Sequence, residues 1–518
     1  MNFSAVGKIL GLLLLLLTAG MVIPLGIASY DFVQQAHDPA ATKLATLPLL
    51  GILTGISMGL LISMALLFLN RQADTNVGKS EAILLVFLSW SLGSVIAAFP
   101  FFFWARFAYE VTGLDSPFRN LINCVFETVS GLTTTGASIL TDIPSIPDSL
   151  LFWRALLQWY GGLGIVVLFV AILPMIAGGN KKLFSAEATG ITKDGSTPKI
   201  QETARSLWLI YCGFTAFQVI LMLMLDPELS VFSAITFAFS TAATAGFSVL
   251  NESAGTMLPS VQWVMILFMM IAGVNYGLYY QFFQGKWRDL FNDIEFRAYV
   301  AIILTATAII ALTIHGHNYV DMNGQEPGGS IEQTLRDAAF QVVSILTTTG
   351  FSNADSDMWP QLCQLVLVSL MFIGGCGGST GGGIKVIRIV SSFKLFFAQL
   401  EKVYRPNVVR PIKLGRHIIQ DHMKIAILLH ILAVILLAFL GAVMLIIIEP
   451  EIDGVSAFTA SIATLNNIGP GFSMVGATQN YSWLSDMSKV ILTLWMLIGR
   501  LEVFTVLVIF SPRFWKQA

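Results

Sequence analysis

Charge is scarce in this chain. Asp, Glu, Lys and Arg make up 12% of its 518 residues, about half the share of an ordinary soluble domain, which excludes a soluble globular fold over most of the length. Cysteine is scarcer still: Cys124, Cys212, Cys363 and Cys376 form no CxxC pair and lie in apolar surroundings, so neither a disulfide framework nor a thiolate metal site is indicated. The six histidines, His37, His315, His317, His417, His422 and His430, fall mostly at the ends of apolar runs. No HExxH, DDxxD or paired-His constellation is present, and no enzymatic activity is expected. His417 and His422, five apart, keep a metal site open only as a minor alternative. The chain has no nucleotide-binding fold of its own and, with a net charge of −2, no basic bias that would mark a nucleic-acid partner.

What is abundant is apolar surface. Hydrophobic residues reach 55%, and the mean hydropathy of +0.75 is spread over many segments, each near the roughly 20 residues that cross a bilayer. Ten spans are expected, near 7–28, 47–69, 82–107, 150–178, 205–225, 259–283, 298–314, 361–390, 423–448 and 488–511. The first resembles a secretory signal, with Lys8 ahead of an apolar run. Its length and the second hydrophobic span behind it favour a retained helix.

Between these spans one phrase recurs four times: SGLTTTGAS ending at Ser138, STAATAGFS at Ser248, SILTTTGFS at Ser352 and ATLNNIGPGFS at Ser473. Its glycines, Gly136, Gly246, Gly350 and Gly469, are 110, 104 and 119 residues apart. Each phrase follows an amphipathic segment too short to cross a bilayer, such as PFRNLINCVFETVSGL from Pro117 to Leu132. Polar starts and apolar, periodic bodies predict half-length helices. Non-helical backbone at membrane depth persists only where protein buries it or water lines it, so four re-entrant loops imply one enclosed, hydrated axis. Carbonyl oxygens can replace the water shell of a cation, and glycine supplies the backbone geometry with least strain. The plainer alternative is four helix-ending loops that merely pack together.

These phrases, in this order and context, resemble the Trk/Ktr/HKT superfamily of potassium transporters, and within it the bacterial TrkH/TrkG family, over essentially the whole chain. The resemblance implies an all-α membrane protein of four covalently linked units in pseudo-fourfold arrangement. Each unit is a membrane helix, a pore helix, a filter loop and a second membrane helix, at 81–180, 203–285, 295–397 and 418–511, after an extra N-terminal helix pair at 1–70. It implies potassium-ion uptake across the bacterial cytoplasmic (inner) membrane. The alternative is a sodium- or proton-coupled secondary transporter, against which the fourfold direct repeat argues, since such transporters usually carry two inverted repeats. The filter would comprise Thr134, Thr135 and Gly136; Thr244, Ala245 and Gly246; Thr348, Thr349 and Gly350; and Asn467, Ile468 and Gly469. Ala245 and Ile468 keep a carbonyl and lose a hydroxyl. In such relatives a filter glycine accompanies potassium selection, and a serine accompanies sodium permeation.

The segment GGCGGSTGGGIK, Gly374 to Lys385, holds seven glycines, Gly374, Gly375, Gly377, Gly378, Gly381, Gly382 and Gly383. Each costs a helix about 1 kcal/mol against Ala, so the span at 361–390 should break. A phosphate-binding loop is disfavoured because Ile384 separates Gly383 from Lys385. A packing kink and a gating loop beneath the filter both stay open, and the resemblance favours the gate. Arg500 lies mid-span, where a charge is costly and faces protein or water. Glu502, two residues on, is badly placed to pair with it on one helix. The resemblance implies that Arg500 opposes cation passage below the filter. Glu127, in the first short segment, either tunes the filter's field or hydrogen-bonds the loop, or is an ordinary helix-face carboxylate.

With the N-terminus inside, 22 of the 29 basic residues fall in inner segments, the positive-inside pattern with both termini cytosolic. Asp226, Glu228, Asp355, Asp357, Glu449, Glu451 and Asp453 would gather at the outer face, where they either concentrate cations or are ordinary solvated loop charges. The resemblance also implies a homodimer and a cytosolic TrkA-type nucleotide-binding regulator docking on the basic stretch 385–416.

Overall fold

The computed structural model describes residues 1–74, 77–164, 197–317, 330–407, 413–414, 417–418 and 421–516. Among them the regular structure is helical, apart from a two-residue antiparallel pairing of Lys413–Leu414 with His417–Ile418 and an isolated bridge between Ile373 and Ile384. Among the described residues six helical stretches are long and apolar enough to cross a membrane, or eight if each of two bent pairs is one span: Phe3–Gln34, Pro39–Leu69, Ser80–Thr112, Ala204–Leu225, Ile294–Ile314 and Met423–Ile448.

The first two stretches pack on the third. Gly51 and Gly55 of Pro39–Leu69 lie so close to Trp104 and Pro100 that a methyl group on either would overlap them. Helices without a hydrophobic drive between them associate through such small residues.

Four shorter helices, Leu121–Leu132, Val231–Ala242, Ile331–Leu346 and Gly454–Leu465, follow the segments expected from sequence. A polar side chain caps each N-terminus. Asn120 accepts from the Ile122 N–H, Ser230 from Ser233, Ser330 from Gln333 and Asp453 from Ser456. Capping satisfies donors that a buried helix end would otherwise orphan. All four carry mostly buried bodies, so they lie inside the bundle rather than on it.

The second long segment of each repeat is broken, as expected at 361–390 and against the continuous spans expected in the other three repeats. Pro259–Ala272 and Tyr276–Phe283 meet at 93°, and Asp486–Arg500 and Val503–Phe510 at 115°. Asp148–Trp159 runs into a π turn, Tyr160–Gly164, with Gly162 off helical geometry. In the third repeat Gln361–Met371 stops and the helix resumes only at Val386–Tyr404. A hydropathy average runs straight through such breaks, which is why spans 259–283 and 488–511 read as continuous. Two breaks sit on a short helix's end: a methyl on Gly161 would overlap the Leu132 carbonyl, and one on Gly499 the Leu465 carbonyl. Residues 165–178 of the span at 150–178, parts of the basic stretch 385–416, and the side chains of His417 and His422 lie outside the described residues.

Candidate functional site: a fourfold ring above a glycine loop

Each short helix ends in the same turn. The N–H groups of Thr135, Ala245, Thr349 and Ile468 donate to the carbonyls of Ser130, Ser240, Ser344 and Ala463 at 2.8, 3.0, 2.8 and 2.8 Å. Thr134, Thr244, Thr348 and Asn467 then take φ of +54°, +52°, +60° and +55°, and Gly136, Gly246, Gly350 and Gly469 take +81°, +76°, +83° and +102°. Left-handed backbone is uncommon outside glycine, and here it recurs at equivalent residues in all four repeats.

These strands close on one another. A methyl on Gly136 would strike the carbonyl oxygen of Ala245, on Gly246 that of Thr349, on Gly350 that of Ile468, and on Gly469 that of Thr135. First repeat meets second, second meets third, third meets fourth, and fourth meets first. The contacts form a closed ring, with no room for a side chain at any of the four glycines.

The hydroxyls divide into two sets. Thr135 and Thr349 bond to Thr133 and Thr347 at 2.7 Å each, and Asn467 donates its amide to Thr135 Oγ1 at 3.0 Å, bracing the ring from behind. Thr134 Oγ1 and Asn467 Oδ1 have no protein partner. Thr348 Oγ1 accepts from the Gly382 N–H at 2.7 Å, and Thr244 Oγ1 lies 3.2 Å from Thr380 Oγ1.

Those last two contacts place the glycine-rich segment directly beneath the ring. It is no simple kink, because the chain leaves its helix at Met371 and rejoins at Val386. Its base is tied: Gly374 N–H donates to Ile384, Val386 N–H to Gly375, and both Gly377 and Ile387 N–H to Glu295 Oε1 at 2.8 and 2.9 Å. Gly378 accepts from Tyr276 at the second repeat's break. Gly378 and Gly383 have φ of +78° and +66°. Lys385 Nζ donates back to the carbonyls of Gly381 and Gly382. Arg500 Nη1 donates to the Thr380 carbonyl at 2.7 Å, and its Nη2 donates to Gly161 and Gly162. One guanidinium thus joins the loop of the third repeat to the break of the first.

A family model described as TrkH, cation transport protein, matches residues 51–517. The chain belongs to the TrkH cation-transport family.

Full-length TrkH relatives agree. The Trk system potassium uptake protein TrkH of Salmonella typhimurium and that of Escherichia coli are each 36% identical over all of both chains. The crystal structure of the potassium transporter TrkH from Vibrio parahaemolyticus matches with a TM-score of 0.82 at 30% identity, covering 99% of this chain and 100% of that one. This TrkH-family chain is therefore a membrane transporter of pseudo-fourfold, all-α architecture.

Several residues around the ring and the glycine loop escaped the sequence reading. Arg154 is buried and pairs with buried Glu127 at 2.6 Å. The Glu127 carboxylate also accepts from Ser138 Oγ and the Ile139 N–H, so Glu127 supports the loop after the first ring strand. Arg154 reaches the second strand too, donating to the Ser248 carbonyl at 2.8 Å and lying 3.7 Å over the Phe247 ring. Gln158 donates to the Ala245 carbonyl at 2.7 Å and Tyr481 to the Gly469 carbonyl at 2.8 Å, so two ring carbonyls are held by side chains. A lone arginine within an apolar run was the one available signal for Arg154.

Above the ring, Asp357 accepts from the Ser473 N–H with both oxygens, at 3.0 and 3.1 Å, and Asp453 accepts from Ser473 Oγ at 3.1 Å. Burial raises the Asp357 carboxyl to about 6 against the opposing Ser473 hydrogen bond, with Asp355 and Asp453 adding repulsion. Burial acts the same way on Asp453, but hydrogen bonds from Ser456 and Ser473 outweigh it and hold that carboxyl below its ordinary value.

Proposed function

We propose that the chain takes up potassium ions through the axis of the ring. The observation that carries this reading is the cyclic contact of Gly136, Gly246, Gly350 and Gly469 with the carbonyls of the next repeat. Carbonyl oxygens crowded about one axis can replace the hydration shell of a monovalent cation without a fixed charge that would trap it. Thr134, Thr135, Thr244, Ala245, Thr348, Thr349, Asn467 and Ile468 contribute the remaining filter backbone. The relatives' naming as potassium uptake proteins supports K+ as the cargo.

The glycine loop from Gly374 to Gly383, with Lys385 and Arg500, acts as the gate. Contacts to ring residues Thr244 and Thr348 support a position in the ion's path. Arg500 adds a positive charge that repels a cation there. The repeats run 81–180, 203–285, 295–397 and 418–511 after the N-terminal pair at 1–70, with both termini on the cytosolic side of the bacterial inner membrane. The working unit is a homodimer regulated by a TrkA-type nucleotide-binding partner at the basic inner face.

Growth tests this. In a bacterial host stripped of its own potassium-uptake membrane proteins but retaining that regulator, the chain restores growth at low external K+. Full membrane expression without rescue overturns the reading.

A further inference from the structure

Arg500 is the last residue of its helix, and two positions later Glu502 turns the chain through 115°. Glu502 does so with φ +67° and ψ +132°, outside the regions that residues bearing side chains favour. Strain of this kind persists only where the surroundings over-determine it, and it clusters at switches.

The surroundings here are specific. Both carboxylate oxygens of Glu502 accept from Arg388 Nη2, at 2.9 and 2.7 Å. Its carbonyl accepts from Thr505 and Val506, starting the next helix. Arg388 belongs to the helix that leaves the glycine loop, three residues past Lys385, and its N–H donates to the Lys385 carbonyl at 2.8 Å. Its second guanidinium nitrogen lies 3.0 Å from His430 Nε2.

The contacts can be followed round a circuit. Thr380 of the loop is held by Arg500; Arg500 is two residues from Glu502; Glu502 is held by Arg388; and Arg388 leads through Lys385 back to Gly381 and Gly382. Two separate breaks, in the third and fourth repeats, are thereby tied both above and below the arginine.

We infer that the Arg388–Glu502 ion pair is a latch that positions Arg500 beneath the ring, making the arginine and the glycine loop one body that must be released together for ions to pass. Arg388 and Glu502 are positioning residues. The inference rests on the gate reading above and adds to it where the gate is fastened.

Tracer rubidium flux in proteoliposomes of the purified chain tests it through a mutant cycle. Arg388→Gln and Glu502→Gln each raise flux about tenfold, as a tenfold shift of the closed–open balance requires, and the double variant does no more than either single. The exchange Arg388→Glu with Glu502→Arg returns flux toward wild type. Glu502→Gly, which removes the carboxylate and relieves the backbone, raises flux without lowering the melting temperature. In an Arg500→Ala background Glu502→Gln adds nothing. Unchanged flux in the single variants, multiplying effects, or failure of both single variants and the exchange to fold would each overturn the latch. If Arg500→Ala raises flux while the latch variants do not, the latch fails alone; if Arg500→Ala also leaves flux unchanged, the gate reading fails with it.

Discussion

The guanidinium of Arg500 donates to the carbonyl oxygen of Thr380 at 2.7 Å, across 120 residues of sequence. A helix end in the fourth repeat therefore holds a loop of the third against the underside of a ring built by all four. The same guanidinium reaches Gly161 and Gly162 of the first repeat, so removing it loosens three repeats at one point.

Arg500→Ala should raise cation flux. A barrier lower by about 1.4 kcal/mol gives roughly a tenfold increase, and loss of both the positive charge and the Thr380 contact acts in that direction. Rubidium uptake into proteoliposomes at matched protein content measures it, and equal or lower flux counts against Arg500 as an obstacle.

The Glu127–Arg154 pair makes a different prediction. Both side chains are buried, and taking one partner from a buried pair leaves a charge uncompensated, at a cost of about 3–5 kcal/mol. Arg154→Met should lower the melting temperature of the detergent-solubilised protein sharply, and adding Glu127→Leu should recover part of the loss. A melting temperature unchanged by Arg154→Met would show that the pair does not brace the first and second strands.

How much of this was legible in the sequence follows from what each feature needs locally. The ring loops were legible because a carbonyl of the neighbouring repeat leaves no room for a side chain at one fixed place, and Gly136, Gly246, Gly350 and Gly469 repeat it. The break after Met371 was legible because seven glycines in twelve residues defeat a helix. The bends at Gly273 and Glu502 were not: a single glycine or a lone acid inside an apolar run leaves the hydropathy of the run intact. Arg154 and Gln158 were missed for another reason. Their partners, Glu127 and the Ala245 carbonyl, lie 27 and 87 residues away, and nothing local to either residue names them. The pairing of Glu502 with Arg388, 114 residues distant, was equally out of reach, although its helix geometry already spoke against a partnership with Arg500.

Acidity acts through Asp357. Its carboxyl titrates near 6 in the folded protein, above the ordinary value of about 3.9, so the folded state binds the proton more tightly than the unfolded one. The resulting stabilisation is complete below about pH 4 and is lost as pH rises through about 6. Thermal stability of wild type relative to Asp357→Asn should therefore fall between pH 4 and pH 7. A difference that rises over this range, or stays flat, contradicts the burial of that carboxyl against Ser473.

Ion selection by the ring of left-handed loops is tested most directly at Gly350. Its φ of +83° and its approach to the Ile468 carbonyl leave no space for a side chain. The measurement is the ratio of rubidium to sodium permeation in proteoliposomes, wild type beside Gly350→Ser. Wild type should strongly prefer rubidium and Gly350→Ser should let sodium through, cutting the ratio about tenfold or more, since about 1.4 kcal/mol of lost discrimination is a factor of ten. A wild type that conducts neither ion, or a serine variant with the same ratio, would contradict selection by the ring.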